Sequence, residues 1–196
     1  MVIEPHCTTF VTEKDNKNDS DMDFKTLIAK RRSIRKFEPQ PVPQEVVDRL
    51  VEATLSAPSS RNSHSTHLMV IDNPELIARM AEMRDYGSSF MKNAPLAILV
   101  MGDPSVTDKW LVNASISATM LQLACVDEGL GSCWVHVDGS LCFKDDPEGP
   151  KADEFLRKLL PIPEGMNILC AVAIGYTTFT PADLPAWDKE AHVHRL

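Results

Sequence analysis

The sequence predicts an α+β layer protein in which a few short strands are covered by helices. Two observations carry that expectation. Segments of strand and helix character alternate, yet the helical ones hold most of the chain, which suits layers of sheet and helix better than a doubly wound sheet. No Gly-x-Gly-x-x-Gly follows a strand and no Gly-x-x-x-x-Gly-Lys occurs, so any nucleotide would be held by side chains rather than by a glycine loop. No internal repeat and no linker divides the chain.

Taken in order, residues 1–21 are polar and charged, with little apolar periodicity, and are expected to form a mobile extension ahead of a domain over residues 22–196. A first helix follows a cap at Asp21 or Asp23, carries Phe24, Leu27 and Ile28 on one face, and ends near Arg31 or Arg32. Pro43 suits the first turn of a second helix, in which Val46, Val47, Leu50, Val51 and Leu55 keep helical spacing. Residues 57–63 are a loop by composition, and residues 67–72 a short strand. Asn73-Pro74-Glu75 is a helix start with cap, proline and first-turn acid. Residues 95–101 read as a buried strand, and residues 106–127 as the longest helix, stopped at Gly129. A strand over 130–137, a helix over 152–160, a turn at 162–165 and a core strand over 167–174 complete the pattern, followed by an irregular tail.

Composition bounds the function. With 43% hydrophobic and 24% charged residues, the 196-residue chain is an ordinary globular sequence. Its longest apolar stretch, residues 94–101, is too short to span a bilayer, and no secretory signal is expected. Five cysteines without a Cys-x-x-Cys pair argue against a disulfide frame or a zinc site, and a reducing cytoplasm fits best. His192 and His194 have no further ligand beside them, so no metal site is expected. The net charge of −8 speaks against nucleic acid as the main partner. Against that acidity, Lys30 to Phe37 concentrates positive charge. Arg31, Arg32 and Arg35 with Ser33 offer charged forks and a hydroxyl, the equipment for a phosphate or an anionic ring edge, although cations at a helix end also have a dipole explanation.

Four motifs, in order and covering about residues 24–176, resemble the nitroreductase family. They are Arg31-Arg32-Ser33-Ile34-Arg35-Lys36-Phe37 and Ala57-Pro58-Ser59-Ser60-Arg61-Asn62-Ser63-His64. Gly129-Leu130-Gly131-Ser132-Cys133-Trp134 follows, and then Ile162-Pro163-Glu164-Gly165 with Gly175-Tyr176. The resemblance implies a central, mainly antiparallel sheet flanked by helices in an intertwined homodimer, with FMN in each of two interface clefts. It implies that Arg31, Arg32, Ser33 and Arg35 contact the flavin phosphate and the N1/O2 edge of the ring. Pro58, Ser59, Ser60 and Asn62 would come from the neighbouring subunit, with His64 next in that loop. Backbone near Trp134, Val135 and His136 would approach the flavin N5, and Lys189 or Arg195 in the tail would add a phosphate contact.

The implied activity is an FMN-dependent oxidoreductase. It takes hydride from NADH or NADPH and reduces a nitroaromatic, quinone or related small acceptor by a ping-pong mechanism, with the flavin N5 and no catalytic side chain doing the chemistry. A flavin-binding reservoir or redox sensor is the alternative. It is motivated by two departures: His64-Ser65-Thr66 stands where the family often has Gln-Pro-Trp, and Gly87 to Phe90 stands where the family often places an Asn or Gln and a Lys for the flavin pyrimidine.

Overall fold

A computed structural model describes residues 22–182 and 185–196; the extension expected over residues 1–21 lies outside them. Strands β1 (Thr66–Ile71), β2 (Leu96–Gly102), β3 (Gly131–His136) and β4 (Asn167–Gly175) form one sheet in the order β1-β2-β4-β3. All three pairings are antiparallel, so the α+β expectation holds and β1 and β3 are the edges. The helices are α1 (Phe24–Lys30), α2 (Gln44–Leu55), α3 (Pro74–Met80), α4 (Trp110–Asp127), α5 (Ala152–Leu159) and α6 (Lys189–His192).

Each face of the sheet is buried. Leu96, Ile98 and Val100 meet Val46, Val47 and Leu50 of α2 and Ala114, Ala118 and Leu121 of α4 on one side. Ala97, Leu99 and Met101 meet Ile77, Met80, Met91 and Leu156 on the other. Every residue of β2 is therefore buried, which explains its unbroken apolar sequence. Removing a side chain such as Leu99 would cost about 2–5 kcal/mol through lost transfer energy and the cavity left behind.

Local chemistry sets the ends of these elements. The Asp23 carboxylate accepts from the backbone N–H of Lys25 at 3.0 Å and of Thr26 at 3.2 Å, which starts α1. Asn73 does the same for Glu75 and Leu76, with Pro74 in the first turn of α3. Gly129, at φ 71°, takes the left-handed residue that stops α4. Pro43 stands just outside α2, one position earlier than the sequence suggests. Helix α4 begins at Trp110 rather than Val106, because short polar side chains capture the backbone before it. Asp103 accepts from the Ser105 N–H and hydroxyl, and Thr107 from the Lys109 N–H. Three 3-10 turns, Ser60–Asn62, Ala81–Met83 and Ser89–Asn93, and the four-residue α6 are too short to leave a periodic signal.

Candidate functional site

The arginine segment and the Gly-Leu-Gly-Ser-Cys-Trp motif are one structure. Ser33 bridges Ser132 in parallel, and Ile34 N–H donates to the Ser132 carbonyl at 2.9 Å. Gly131 makes that approach possible: a Cβ there would stand 2.8 Å from Ile34 Cγ2. Gly175 plays the same part at the next crossing, where a Cβ would meet Pro95 Cδ at 2.6 Å. The two glycines give the motifs a packing reason.

Side chains of this extended segment alternate between two sides. Arg32 turns toward the tail, donating to the carbonyls of Ala29, Arg31 and, at 3.4 Å, Ala182. The tail is held against the same side by Thr178, whose hydroxyl donates to Glu38 at 2.8 Å, and by Phe179, whose ring centre lies 5.0 Å from Lys36 Nζ. Arg31, Ser33 and Arg35 face the other way, toward Cys133. Burial pushes that buried thiol up, and Arg35, Ser33 and Arg31 pull against the shift.

Beside them the outer edge of β3 is open. The Ser132 carbonyl is taken by Ile34, and the His136 carbonyl accepts from Arg84 at 2.9 Å, so both point away from β4. Val137 N–H points back to Leu169. Strand alternation then sets the Trp134 N–H and carbonyl and the His136 N–H on the free edge, while Val135, whose side chain is buried, turns its backbone to β4. Opposite this edge run residues 84–90, fixed by the buried Ser88 hydroxyl on the carbonyls of Ala81 and Arg84. A guanidinium braces each end: Arg35 lies 5.7 Å from the Phe90 ring centre, and Arg84 lies 4.0 Å from that of Tyr86. The ion pairs among the described residues are Arg49–Glu128, Lys109–Asp108 and Arg157–Asp153. Arg31, Arg35 and Arg84 thus have no carboxylate partner among them, in a chain with 28 acidic residues. Guanidinium groups and edge backbone amides thus lie together in a cationic slot between β3 and residues 84–90.

The second predicted group lies elsewhere. Ser60 N–H donates to the Asn113 side-chain oxygen Oδ1 at 2.9 Å, and Asn113 Nδ2 donates to the hydroxyls of Ser63 at 3.1 Å and Ser65 at 2.9 Å. His64 N–H donates to the Ser59 hydroxyl, and Arg61, Asn62 and His64 all take positive φ. This loop, with Pro58 at its start, leads into Thr66 at the outer edge of β1. From there to β3 is three strand spacings, about 14 Å, and the Ser132 row lies about 20 Å further along the strands. One chain does not bring its two predicted groups together. Lys189 opens α6, whose first N–H groups bond to the Asp188 carboxylate, and its hydrogen bonds stay within that turn.

Sequence reading missed Asn113 and Arg84. Asn113 had a signal, a polar residue on the buried face of an apolar helix across from a serine-rich loop. Arg84 had none, because its role comes from the loop geometry around Tyr86 and Gly87.

Comparison with known proteins matches the model of the Nitroreductase family to residues 28–84 and 81–176. A Methanothermobacter thermautotrophicus protein carrying the name NADH dehydrogenase/NAD(P)H nitroreductase is 31% identical over 174 residues, 87% of this chain and 86% of its own. Among solved structures, an FMN-dependent nitroreductase from Clostridium difficile is similar with TM-score 0.79 and 34% identity, over 86% of this chain and 96% of the other. A Desulfovibrio desulfuricans structure titled as a nitroreductase in complex with FMN shares the fold at TM-score 0.70 and 22% identity, over 92% and 99% of the two chains.

Proposed function

The chain belongs to the nitroreductase family, and on that premise we propose that it is an FMN-dependent oxidoreductase. It takes electrons from NADH or NADPH and reduces a nitroaromatic, quinone or related small acceptor, one reactant after the other. The observation that carries the reading is the slot beside β3, where guanidinium groups without carboxylate partners and free backbone amides sit together in an acidic chain. The donor set fits FMN. Arg31 and Ser33 supply a charged fork and a hydroxyl for its phosphate, and Arg35 a cation for the pyrimidine edge. Trp134 and His136 offer edge N–H groups toward N5.

FMN held there would supply the redox chemistry. The chain's residues bind and orient. Arg35 would place positive charge at the pyrimidine edge, which would favour electron uptake. The β3 edge would hold the ring without a titrating group, and the buried core behind it would keep water from one side. Cys133 sits beneath as a packed thiol and needs no chemical role.

The proposal includes a homodimer in which Pro58, Ser59, Ser60, Asn62 and His64 serve the partner's flavin. Two observations support it. The loop lies at the corner of the sheet diagonal to the arginine segment, so a complete site needs a second copy. The outer face of α4 also leaves Leu111, Val112 and Ile116 exposed, Val112 by 54%, and a helix apolar all round calls for a partner. No helix among the described residues is long and apolar enough to cross a membrane, and Cys125, Cys133, Cys142 and Cys170 are free; a cytoplasmic location belongs to the same proposal.

The test is spectroscopic and kinetic. Purified protein should carry a flavin spectrum that NADH or NADPH bleaches and an acceptor restores, with parallel double-reciprocal lines. A flavin that stays oxidised under both nicotinamides would leave a reservoir or sensor instead.

A further inference from the structure

We infer that Arg84 is a specificity residue of this site and that the acceptor it selects is an aromatic compound carrying a carboxylate. The inference rests on the flavoenzyme reading above and names the substrate class for that same slot. Three observations lead to it.

Arg84 is held in place before any ligand arrives. One terminal nitrogen donates to the His136 carbonyl at 2.9 Å, the guanidinium carbon lies 4.0 Å from the Tyr86 ring centre, and Nε is buried without a hydrogen-bond partner. Gly87, at φ 72°, takes the left-handed conformation of this turn, and a Cβ there would touch the other terminal nitrogen at the ordinary contact distance of 3.8 Å. A planar fork fixed in this way has already lost its rotamer entropy, so it binds a planar anion at lower cost than a free arginine would.

Its charge is also unspent. No described carboxylate pairs with it, and the one protein acceptor it has, a backbone carbonyl, is neutral. Arg84 is half-buried with its Nε out of water, so an anion entering the slot would meet a charge that water only partly screens.

Position decides which anion. Arg35 donates to the carbonyl of Ser33, which bridges Ser132, whereas Arg84 holds His136, four residues further along β3, about 13 Å away. With Arg35 assigned to the pyrimidine edge of FMN, Arg84 stands at the opposite end of the slot, where the exposed His136 marks its mouth. That end is left to the second reactant. A carboxylate matches the two-pronged geometry of a guanidinium better than a nitro or quinone oxygen does, so the selectivity falls on acceptors with a carboxylate remote from the reducible group.

Calorimetric titration of the purified protein with benzoate and with benzamide, ligands of one shape and different charge, tests this alongside an FMN titration. Wild-type protein should bind benzoate at least tenfold more tightly than benzamide. Arg84→Gln should abolish that difference with FMN affinity within twofold of wild type, and Arg84→Lys, which keeps the charge without the fork, should restore part of it. Turnover should follow the same order, with 4-nitrobenzoate preferred over 4-nitrobenzamide by wild type only. Equal binding of the two ligands by wild type would overturn the inference. So would a difference that survives in Arg84→Gln, or a tenfold loss of FMN affinity in that variant, which would make Arg84 a flavin ligand. Wild-type protein that binds no FMN would overturn the flavoenzyme reading, and the benzoate contrast would still report on Arg84.

Discussion

Replacing Asn113 with alanine tests whether the serine loop is held by α4. The side chain is 1% exposed and makes three hydrogen bonds, from Ser60 N–H at 2.9 Å and to Ser63 and Ser65 at 3.1 and 2.9 Å. At about 1 kcal/mol net for each, the variant loses about 3 kcal/mol. Alanine's better helix propensity returns about 0.5 kcal/mol at most. Ser65 is fully buried, so its hydroxyl has no water to turn to. Urea unfolding at one fixed protein concentration, which matters for a dimer, should show the loss as a lower midpoint with an unchanged slope. Because the loop is proposed to complete the partner's site, FMN affinity should fall at least tenfold in the same variant. A stability change under about 0.5 kcal/mol, the size typical of an unimportant surface substitution, together with wild-type FMN binding, would mean that Asn113 does not hold the loop and that the loop does not complete the partner's site.

Other outcomes follow from the same geometry. Arg35→Ala should weaken FMN binding about tenfold or more, the worth of a charge-assisted hydrogen bond at roughly 1.5–3 kcal/mol, whereas Arg61→Ala should change it much less; equilibrium titration compares the two. Ile116→Asp, on the exposed apolar face of α4, should give a monomer in sedimentation at micromolar concentration, and a dimer of unchanged affinity would place the interface elsewhere. Burial raises the Cys125 thiol to about 12 and the Cys170 thiol well above its ordinary value. Both should therefore resist alkylation at pH 8 in folded protein and react once it is unfolded. As their folded values lie above the unfolded one, the unfolded chain ionises first on raising the pH above about 8.5, and stability should decline from there upward.

Legibility differed between the elements and the site. The capped helices at Asp23 and Asn73, the all-apolar β2 and the stop at Gly129 were readable because each is decided by neighbours in sequence. The start of α4 was misplaced by four residues because side-chain capture by Asp103 and Thr107 outweighs the apolar periodicity that runs through Val106. The arginine segment was visible as charge in an acidic chain, yet its alternation was not: only the structure turns Arg32 to the Ala182 carbonyl while Arg31 and Arg35 face Cys133. The serine loop was legible as a loop, but its place at the far corner from Ser33 depends on the strand order β1-β2-β4-β3, which no local pattern encodes. Arg84 and Asn113 act through contacts across 52 and up to 53 residues of sequence, and single-sequence patterns do not reach that far.

A mixed dimer reports directly on the proposal that each flavin site is built from two chains. Arg35→Ala damages one half of every site and Asn113→Ala the other, so each homodimer should bind FMN at least tenfold more weakly than wild type. In a heterodimer of the two variants, separated by different affinity tags, one site collects both defects and the other receives neither. One FMN per heterodimer should then bind with wild-type affinity. If each chain formed its own site, every site in the heterodimer would carry a defect, and the absence of any tight-binding FMN there would contradict the two-chain site.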